Sequence, residues 1–455
     1  MKPLIFGAFE INQVNLTSQG LWAHPDQTTY RYKELDYWIE MAKLLERGGF
    51  NFIFLADSYG YPHIKGLTKP VVFEQAVEIP NNDPMLLIPA MAAVTDRLSF
   101  AVTASTTYEH PYANARRLAT LDHLTKGRIG WNIVTTSMSV VSELFGQDLI
   151  PHDERYARAE DFVDLTYKLL EGSWDDDAVV VDKEQRLYAD PAKVREIHHH
   201  GAYHRCDGYF DCEPSPQRTP VLFQAGLSEA GRAFGAAHAE VIFLQGRDAE
   251  LVRRQVDDIH ARALQAGRPE GAVKTVTTLS IVSASSRAAA ERKLEGYLSY
   301  VNFPASAAYY SSMTGIDLNA LEELDPDTKF SDLQTEETRS SVARHGDAKV
   351  REAADHILRY GMRELIVRGT PPEIVEQLGE YVETSGVDGF LLAPFTVPDS
   401  YADFAEEIAP ALREAGLLAE HSPGTFRESL FPDNGPHLPA SHPVQAARTA
   451  AVGAV

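Results

Sequence analysis

Cysteine is scarce in this sequence: Cys206 and Cys212 are the two that occur in 455 residues. Two cysteines form no disulfide framework in so long a chain, which indicates a reducing compartment and predicts a cytoplasmic protein. Apolar runs of 18 or more residues are missing, and the N-terminal stretch lacks the apolar core of a signal peptide, so no membrane span is expected. A formal net charge of -23 disfavours nucleic acid or an anionic membrane surface as a partner.

Several common catalytic motifs are also missing. There is no Gly-x-Ser-x-Gly elbow, so acyl transfer through a serine is unsupported. There is no Walker A sequence and no Gly-x-Gly-x-x-Gly after a predicted strand, so the chain shows no site for a nicotinamide dinucleotide. The predicted strand ends carry no tight carboxylate pair of the kind that glycosidases use.

What the sequence does contain is a regular alternation of strand-like apolar runs and amphipathic helical segments. Eight of these units predict a (β/α)8 TIM barrel, an α/β fold, with an open doubly wound sheet as the alternative. The predicted strands cover residues 4–9, 51–56, 98–104, 129–134, 221–224, 241–244, 275–282 and 388–392.

The units are predicted to form a single domain over residues 1–430. Residues 58–82, 173–217 and 303–346 interrupt the alternation and are predicted as insertions, the first and third of them as candidate lids. The last residues, 431–455, are rich in Pro, His and Ala, and predict a flexible C-terminal tail.

Polar side chains follow the predicted strands, at the end of a barrel where active sites lie. Asp57 follows the second strand, Thr103 lies in the third and Asn132 in the fourth. After the fifth strand, Leu227 and Ser228 stand at a helix start, where backbone N–H groups favour an anion. The set is rich in hydroxyl and amide groups and suits a bulky, largely neutral ring with a phosphate tail. His152 and Tyr156, at the start of another helix, add donors for that anion.

Several longer stretches of the sequence, taken together, match a known protein family. They are WAHP (22–25), ERGGFNFIFLAD (46–57), AAVTDRLSFAVTASTTYEHPY (92–112), ATLDHLTKGRIGWNIVTT (119–136), HDERYARAEDF (152–162), EGSWDDDAV (171–179), PSPQRTPVLFQAG (214–226), VDGFLLAP (387–394) and FRESL (426–430). With them the chain resembles the bacterial-luciferase-like flavin monooxygenases over roughly residues 4–430. Within that family it is most similar to the nitrilotriacetate, dibenzothiophene-sulfone and dimethyl-sulfide monooxygenases, and it looks closest to the dimethyl-sulfide enzymes.

The resemblance implies an FMNH2-dependent monooxygenase that obtains reduced FMN from a separate NAD(P)H:FMN reductase. Such an enzyme inserts one oxygen atom of O2 into a small organic, here organosulfur, substrate through a C4a-hydroperoxyflavin. Relatives are commonly homodimers or homotetramers, so either state is expected. Carried over to this sequence, the FMN contacts of the family fall on Asp57, Thr103, Asn132, His152, Tyr156, Leu227 and Ser228.

The resemblance also assigns the catalytic and substrate residues. A loop histidine of the family matches His24, which would steer or protonate the flavin peroxide. Phe54, Tyr108 and Phe395 are expected to wall the substrate pocket. Sulfone-cleaving relatives carry a histidine where this chain has Met313, before Thr-Gly. That loss of a polar group favours a less polar substrate such as a thioether.

Two other functions stay open at this point. A deazaflavin-dependent oxidoreductase would transfer hydride without consuming O2, and a non-catalytic flavin-binding protein would retain oxidised flavin without turnover. A metal site is not expected, although histidines and cysteines cluster late in the second insertion. Their spacing matches no zinc pattern, and the residues concerned are His198, His199, His200, His204, Cys206 and Cys212.

Overall fold

Eight parallel strands close into a barrel. The computed structural model describes residues 2–64, 66–226, 228–318, 325–333, 348–361, 363–419 and 424–452, with side chains to residue 448. The barrel strands are β1 (Ile5–Ile11), β2 (Phe52–Ala56), β3 (Ser99–Ser105), β4 (Ile129–Val134), β5 (Val221–Gln224), β6 (Val241–Leu244), β7 (Lys274–Ser283) and β8 (Gly389–Leu392). Each pairs with the next in sequence, and β8 pairs with β1 through Gly389 opposite Ile5. The predicted TIM barrel is therefore confirmed, and the open sheet is excluded.

Helices surround the barrel and connect its strands. In the described residues the α-helices are, in chain order, α1 (Leu35–Gly48), α2 (Pro70–Glu74), α3 (Ile88–Ala92), α4 (Pro111–Thr125), α5 (Ser139–Leu144), α6 (His152–Tyr167), α7 (Glu229–His238), α8 (Ala249–Gln265), α9 (Arg287–Leu298), α10 (Phe303–Thr314), α11 (Val350–Tyr360), α12 (Pro371–Ser385), α13 (Asp399–Asp403), α14 (Ala409–Glu414), α15 (Phe426–Leu430) and α16 (Gln445–Val452). Short 3-10 helices are Leu21–Ala23, Thr29–Arg31, Pro84–Leu87, Pro191–Lys193 and Phe330–Leu333, and π-helical turns are Lys168–Gly172 and Phe404–Ile408. No helix in these described ranges is long and apolar enough to cross a membrane.

Alternation along the strands separates two hydrophobic layers. Phe100 and Val102 of β3 join the layer between barrel and helices, whereas Ala101 joins the layer inside the barrel. Thr103 follows the inward alternation, because side chains two apart share a face of a strand. The same rule brings Asn132 of β4 inside, since its neighbours Trp131 and Ile133 belong to the outer layer.

The C-terminal segment closes the bottom of the barrel. Phe426 and Leu430 of α15 lie in the inner layer, and the rings of Phe426 and Phe52 are 5.5 Å apart. The flexible tail predicted from residue 431 onward differs from the structure, because Leu438 and Val444 are buried in the outer layer. Proline-rich composition hid this packing, since isolated apolar residues between prolines carry no periodic signal.

Two further predictions need correction. The insertion at 173–217, where we predicted no strand, contains two antiparallel hairpins, of strands Val179–Asp182 and Leu187–Ala189 and of strands Glu196–His200 and Arg205–Tyr209. A strand at Leu365–Gly369, which we did not predict, pairs with the second half of β7. Polar residues at alternate buried positions, such as His199, concealed the period-two pattern of the second hairpin.

Candidate functional site

Two neighbouring strands bring an amide and a hydroxyl together at the mouth of the barrel. Thr103 and Asn132 are register partners, and Asn132 Nδ2 donates to Thr103 Oγ1 at 3.0 Å. Asn132 Oδ1 is buried, and so is Thr278 Oγ1 of β7, and neither has a hydrogen-bond partner in the described part of the chain. Buried polar atoms without partners cost free energy. The mouth is therefore built to receive a polar ligand.

A cavity of about 290 Å³ opens beside this pair. It lies between the ends of β2, β3 and β4 and the connection that follows β2. Asp57 and Thr103 of the predicted site line it. The complete lining is Asp57, Ser58, Tyr59, Gly60, Glu78, Ile79, Asn81, Asn82, Asp83, Met85, Thr103, Ala104, Ser105, Glu109, Arg117, Val134 and Thr136.

Acidic groups dominate the cavity wall. Burial raises the pKa of Glu78 to about 7. Burial, and then the charge of Asp83, raises the pKa of Asp57 to about 6. The cation on the wall, Arg117, forms an ion pair with Glu109.

A second group of residues forms a narrow cradle at the start of α7. Ser228 caps this helix, and its Oγ accepts from Gly231 N at 3.1 Å. A Cβ atom built on Gly226 or on Gly231 would lie 2.6 Å from Tyr156 Oη. His152 is buried, with its ring 5.3 Å from that of Tyr156. The hydroxyl group of Tyr156 thus faces a helix start, where backbone N–H groups favour an anion such as phosphate, and His152 lies beside that tyrosine. Leu227 lies outside the described residues.

Two arginines on α6 were not among the predicted site residues. Arg155 is buried and donates through Nη1 to Ile150 O at 2.6 Å. Arg158 Nε is buried without a hydrogen-bond partner among the residues described. Burial raises the pKa of Tyr108, and the positive charges of both arginines oppose that rise. The available signal was their spacing, since Arg155 follows His152 by three residues and Arg158 follows Arg155 by three, and residues three apart are neighbours on a helix surface.

The predicted catalytic histidine lies in an aromatic cluster beyond the cavity lining. The His24 ring is 4.9 Å from that of Tyr300 and 5.3 Å from that of Tyr297. Its Nδ1 accepts from Asp26 N at 3.2 Å. Phe395 joins this cluster, stacked on Tyr297 with ring centroids 5.0 Å apart. The structure brings His24 and Phe395 together, and a catalytic role for His24 stays a prediction.

The other predicted substrate residues are dispersed. Phe54 lies inside the barrel, with its ring 4.6 Å from that of Phe243. Tyr108 stacks on Phe145, whose ring is also 5.1 Å from that of cavity-lining Tyr59. Met313, on α10, is 39% exposed. None of these three described residues lines the cavity. Glu78 and Asn81 line the cavity instead. They lie in a connection without strand or helix periodicity, so no sequence pattern pointed to them.

The histidine cluster of the second hairpin has structural partners. His199 Nε2 is 2.9 Å from Asp161 Oδ1 of α6, which docks the hairpin on that helix. His198 and His200 both contact Asp207 on the exposed face. Within the described ranges, no group of three or more His, Cys, Asp or Glu side chains is placed to hold a metal ion.

Known proteins are similar to this chain in sequence and fold over almost its whole length. The family model described as luciferase-like monooxygenase matches residues 14–389. The long-chain alkane monooxygenase of Geobacillus thermodenitrificans is 41% identical over 444 residues, which cover 97% of each chain. The dimethyl-sulfide monooxygenase of Hyphomicrobium sulfonivorans is 39% identical over 99% of this chain and 95% of its own.

A solved structure of riboflavin lyase with modified FMN and riboflavin superposes with a TM-score of 0.94. It is 41% identical and covers 98% of this chain and 100% of its own. Monooxygenases of the matched family use reduced FMN. A site of unpartnered polar atoms at the barrel mouth and a helix-start cradle is consistent with such a cofactor. The chain belongs to the luciferase-like monooxygenase family.

Proposed function

We propose that this chain is the oxygenase of a two-component system and that it oxygenates a small thioether. One oxygen atom of O2 enters the substrate, the other leaves as water, and FMNH2 is oxidised to FMN. A separate NAD(P)H:FMN reductase supplies the FMNH2. The observation that carries the proposal is the pairing of Thr103 with Asn132, whose Oδ1 is buried without a partner among the residues described, beside the cavity.

Two groups of residues on opposite parts of the rim would bind different parts of FMN. Asn132 and Thr103 would orient the ring, and Tyr156, Ser228 and His152 would hold the phosphate at the start of α7. When bound, reduced FMN supplies the electrons that activate O2. Buried aromatic side chains below the mouth, such as Phe54, exclude water from the reacting centre.

Cavity size supports a small substrate. The cavity of about 290 Å³ is at the lower end of ligand pockets, which span about 300–1,000 Å³. It must also receive part of the flavin ring, so little space is left for a long chain or a second ring system. Among the relatives, the dimethyl-sulfide monooxygenase acts on a molecule of suitable size. Met313, in place of the histidine of sulfone-cleaving relatives, also favours the less polar thioether, although it is exposed.

The test of the proposed function supplies the protein with FMNH2 from an NAD(P)H:FMN reductase under ¹⁸O2. Ethyl methyl sulfide, dimethyl sulfone and n-hexane are compared. We expect O2-dependent oxygenated product from the sulfide, with one labelled oxygen atom per molecule. Oxygenation of the alkane alone would contradict the thioether assignment. Substrate oxidation by a deazaflavin without O2 consumption would contradict the oxygenase assignment.

A methyl group in the cradle is expected to weaken FMN binding. In Gly231→Ala the new Cβ would lie 2.6 Å from Tyr156 Oη and 2.9 Å from Gly226 C, so the cradle must open or the tyrosine must move. We expect the Kd for FMN to rise about tenfold or more, since 1.4 kcal/mol of lost contact is tenfold. Fluorescence titration with FMN measures it.

Gly296→Ala is the matched control. Gly296 lies within α9, and a Cβ built there meets no atom within 4 Å. Alanine in place of a helical glycine is expected to raise stability by roughly 0.5–1 kcal/mol and to leave the Kd for FMN unchanged. An equal change of Kd in both variants would remove the cradle from the phosphate site.

A further inference from the structure

Glu78 has a buried carboxyl oxygen and stands beside the cavity. It lies in the connection between β2 and β3 and lines the cavity together with Thr103 and Thr136. Its Oε2 atom is buried, and the described residues offer it no hydrogen-bond partner. A buried carboxyl oxygen without a partner costs free energy. A positively charged ligand in the cavity would offset part of that cost.

The backbone around Glu78 is held firmly. Asn15 Nδ2 donates to Gln75 O at 2.6 Å and to Ala76 O at 2.9 Å. Val77 is buried in a cluster with residues of α2 and α10. Ala76 and Glu78 both adopt positive φ, 51° and 55°, a conformation that side-chain-bearing residues rarely take and that clusters at functional sites. Surrounding contacts therefore fix the backbone from which this carboxyl group projects.

Charge around Glu78 is predominantly negative. The ionisable side chains that line the cavity with it are Asp57, Tyr59, Asp83, Glu109 and Arg117. Arg117 is already paired with Glu109, and Asp83 Oδ1 accepts from Met85 N at 2.9 Å. The cavity consequently favours a ligand that brings positive charge or a hydrogen-bond donor.

Protonation of Glu78 fits this chemistry. Burial raises the pKa of Glu78 to about 7, so near neutral pH this carboxyl group is partly protonated. A cation bound within about 4 Å favours the ionised form of a carboxyl group. Binding of a protonated amine would thus release a proton near pH 7, whereas binding of a neutral or anionic molecule would not.

We propose that Glu78 is a specificity-determining residue that binds a protonated amine of the substrate. The preferred substrates are then small thioethers that carry an ammonium group a few bonds from the sulfur. The identity of the oxidised group rests on the proposed function, whereas recognition of the amine does not.

The test measures binding by isothermal titration calorimetry, with n-butylammonium and butyrate as probes and with the protein both free and saturated with FMN. We expect the wild type to bind n-butylammonium and not butyrate, with proton release near pH 7. Glu78→Gln, which preserves the shape of the side chain, should weaken n-butylammonium binding about tenfold or more and abolish the proton release. Glu74→Gln removes the same charge from an exposed residue of α2 and should change neither.

Turnover separates the two proposals. With 2-(methylthio)ethylamine and ethyl methyl sulfide as substrates, Glu78→Gln should raise KM for the amine and leave KM for the neutral sulfide unchanged. Butyrate binding, no n-butylammonium binding by the wild type, or a loss of FMN affinity in Glu78→Gln would overturn the inference. Glu78-dependent amine binding without oxygenation of any thioether would instead overturn the proposed function and retain the inference.

Discussion

Arg427→Met is expected to lower the free energy of unfolding by about 3–5 kcal/mol, because it leaves a buried carboxylate without its partner. Arg427 is fully buried in α15. Its Nε and Nη2 donate to the two carboxyl oxygens of Glu240 at 2.7 and 2.9 Å, and Nη1 donates to Pro436 O at 2.6 Å. Guanidinium chloride unfolding followed by tryptophan fluorescence measures the loss.

Two further variants test the origin of this loss. In Arg427→Met/Glu240→Gln the unpaired charge is gone, so part of the lost stability should return. A double variant as unstable as the sum of the single ones would contradict the role of the buried charge. Arg359→Met removes one partner of an exposed ion pair with Glu295 and should have little effect, since surface pairs contribute little.

Glu10→Gln is expected to stabilise the protein at alkaline pH and to have little effect at pH 4–5. Glu10 lies in β1 and is completely buried, and neither carboxyl oxygen has a partner within the described residues. Burial raises its pKa to about 8, and the nearby hydroxyl of Tyr401 offsets only part of the rise. Tyr37 and Tyr401 flank it, and burial also raises the pKa of each of them.

The direction of the pH dependence follows from proton binding. Between pH 4.5, the ordinary pKa, and about 8, the folded protein retains a proton on Glu10 that the unfolded chain has lost. Stability from this group therefore falls as pH rises, by about 1.4 kcal/mol per unit in that window. The difference in unfolding free energy between Glu10→Gln and wild type should grow from pH 5 to pH 8. A difference that is constant with pH would contradict this account.

Much of the fold and part of the site could be predicted from local sequence. Most barrel strands are short, mainly apolar runs, as strands covered on both faces should be. Asp57, Thr103 and Asn132 were predicted because parallel strands end at one rim of a barrel. The structure places Asp57 and Thr103 on one cavity and bonds Thr103 to Asn132. His24 and Phe395 were also predicted near the mouth, but they belong to a separate aromatic cluster.

The sequence by itself determined the eight strand-and-helix units and the family, because these depend on periodicity and on long matching segments. Tertiary structure alone decided which carboxyl groups are buried and where the C-terminal segment packs. Arg427 and Glu240 are 187 residues apart in sequence, and Glu78 reaches the cavity through a connection without periodicity. A local hydrophobic pattern predicts which residues are buried. It does not predict the partner of a buried charge, because that partner can lie far away in the sequence.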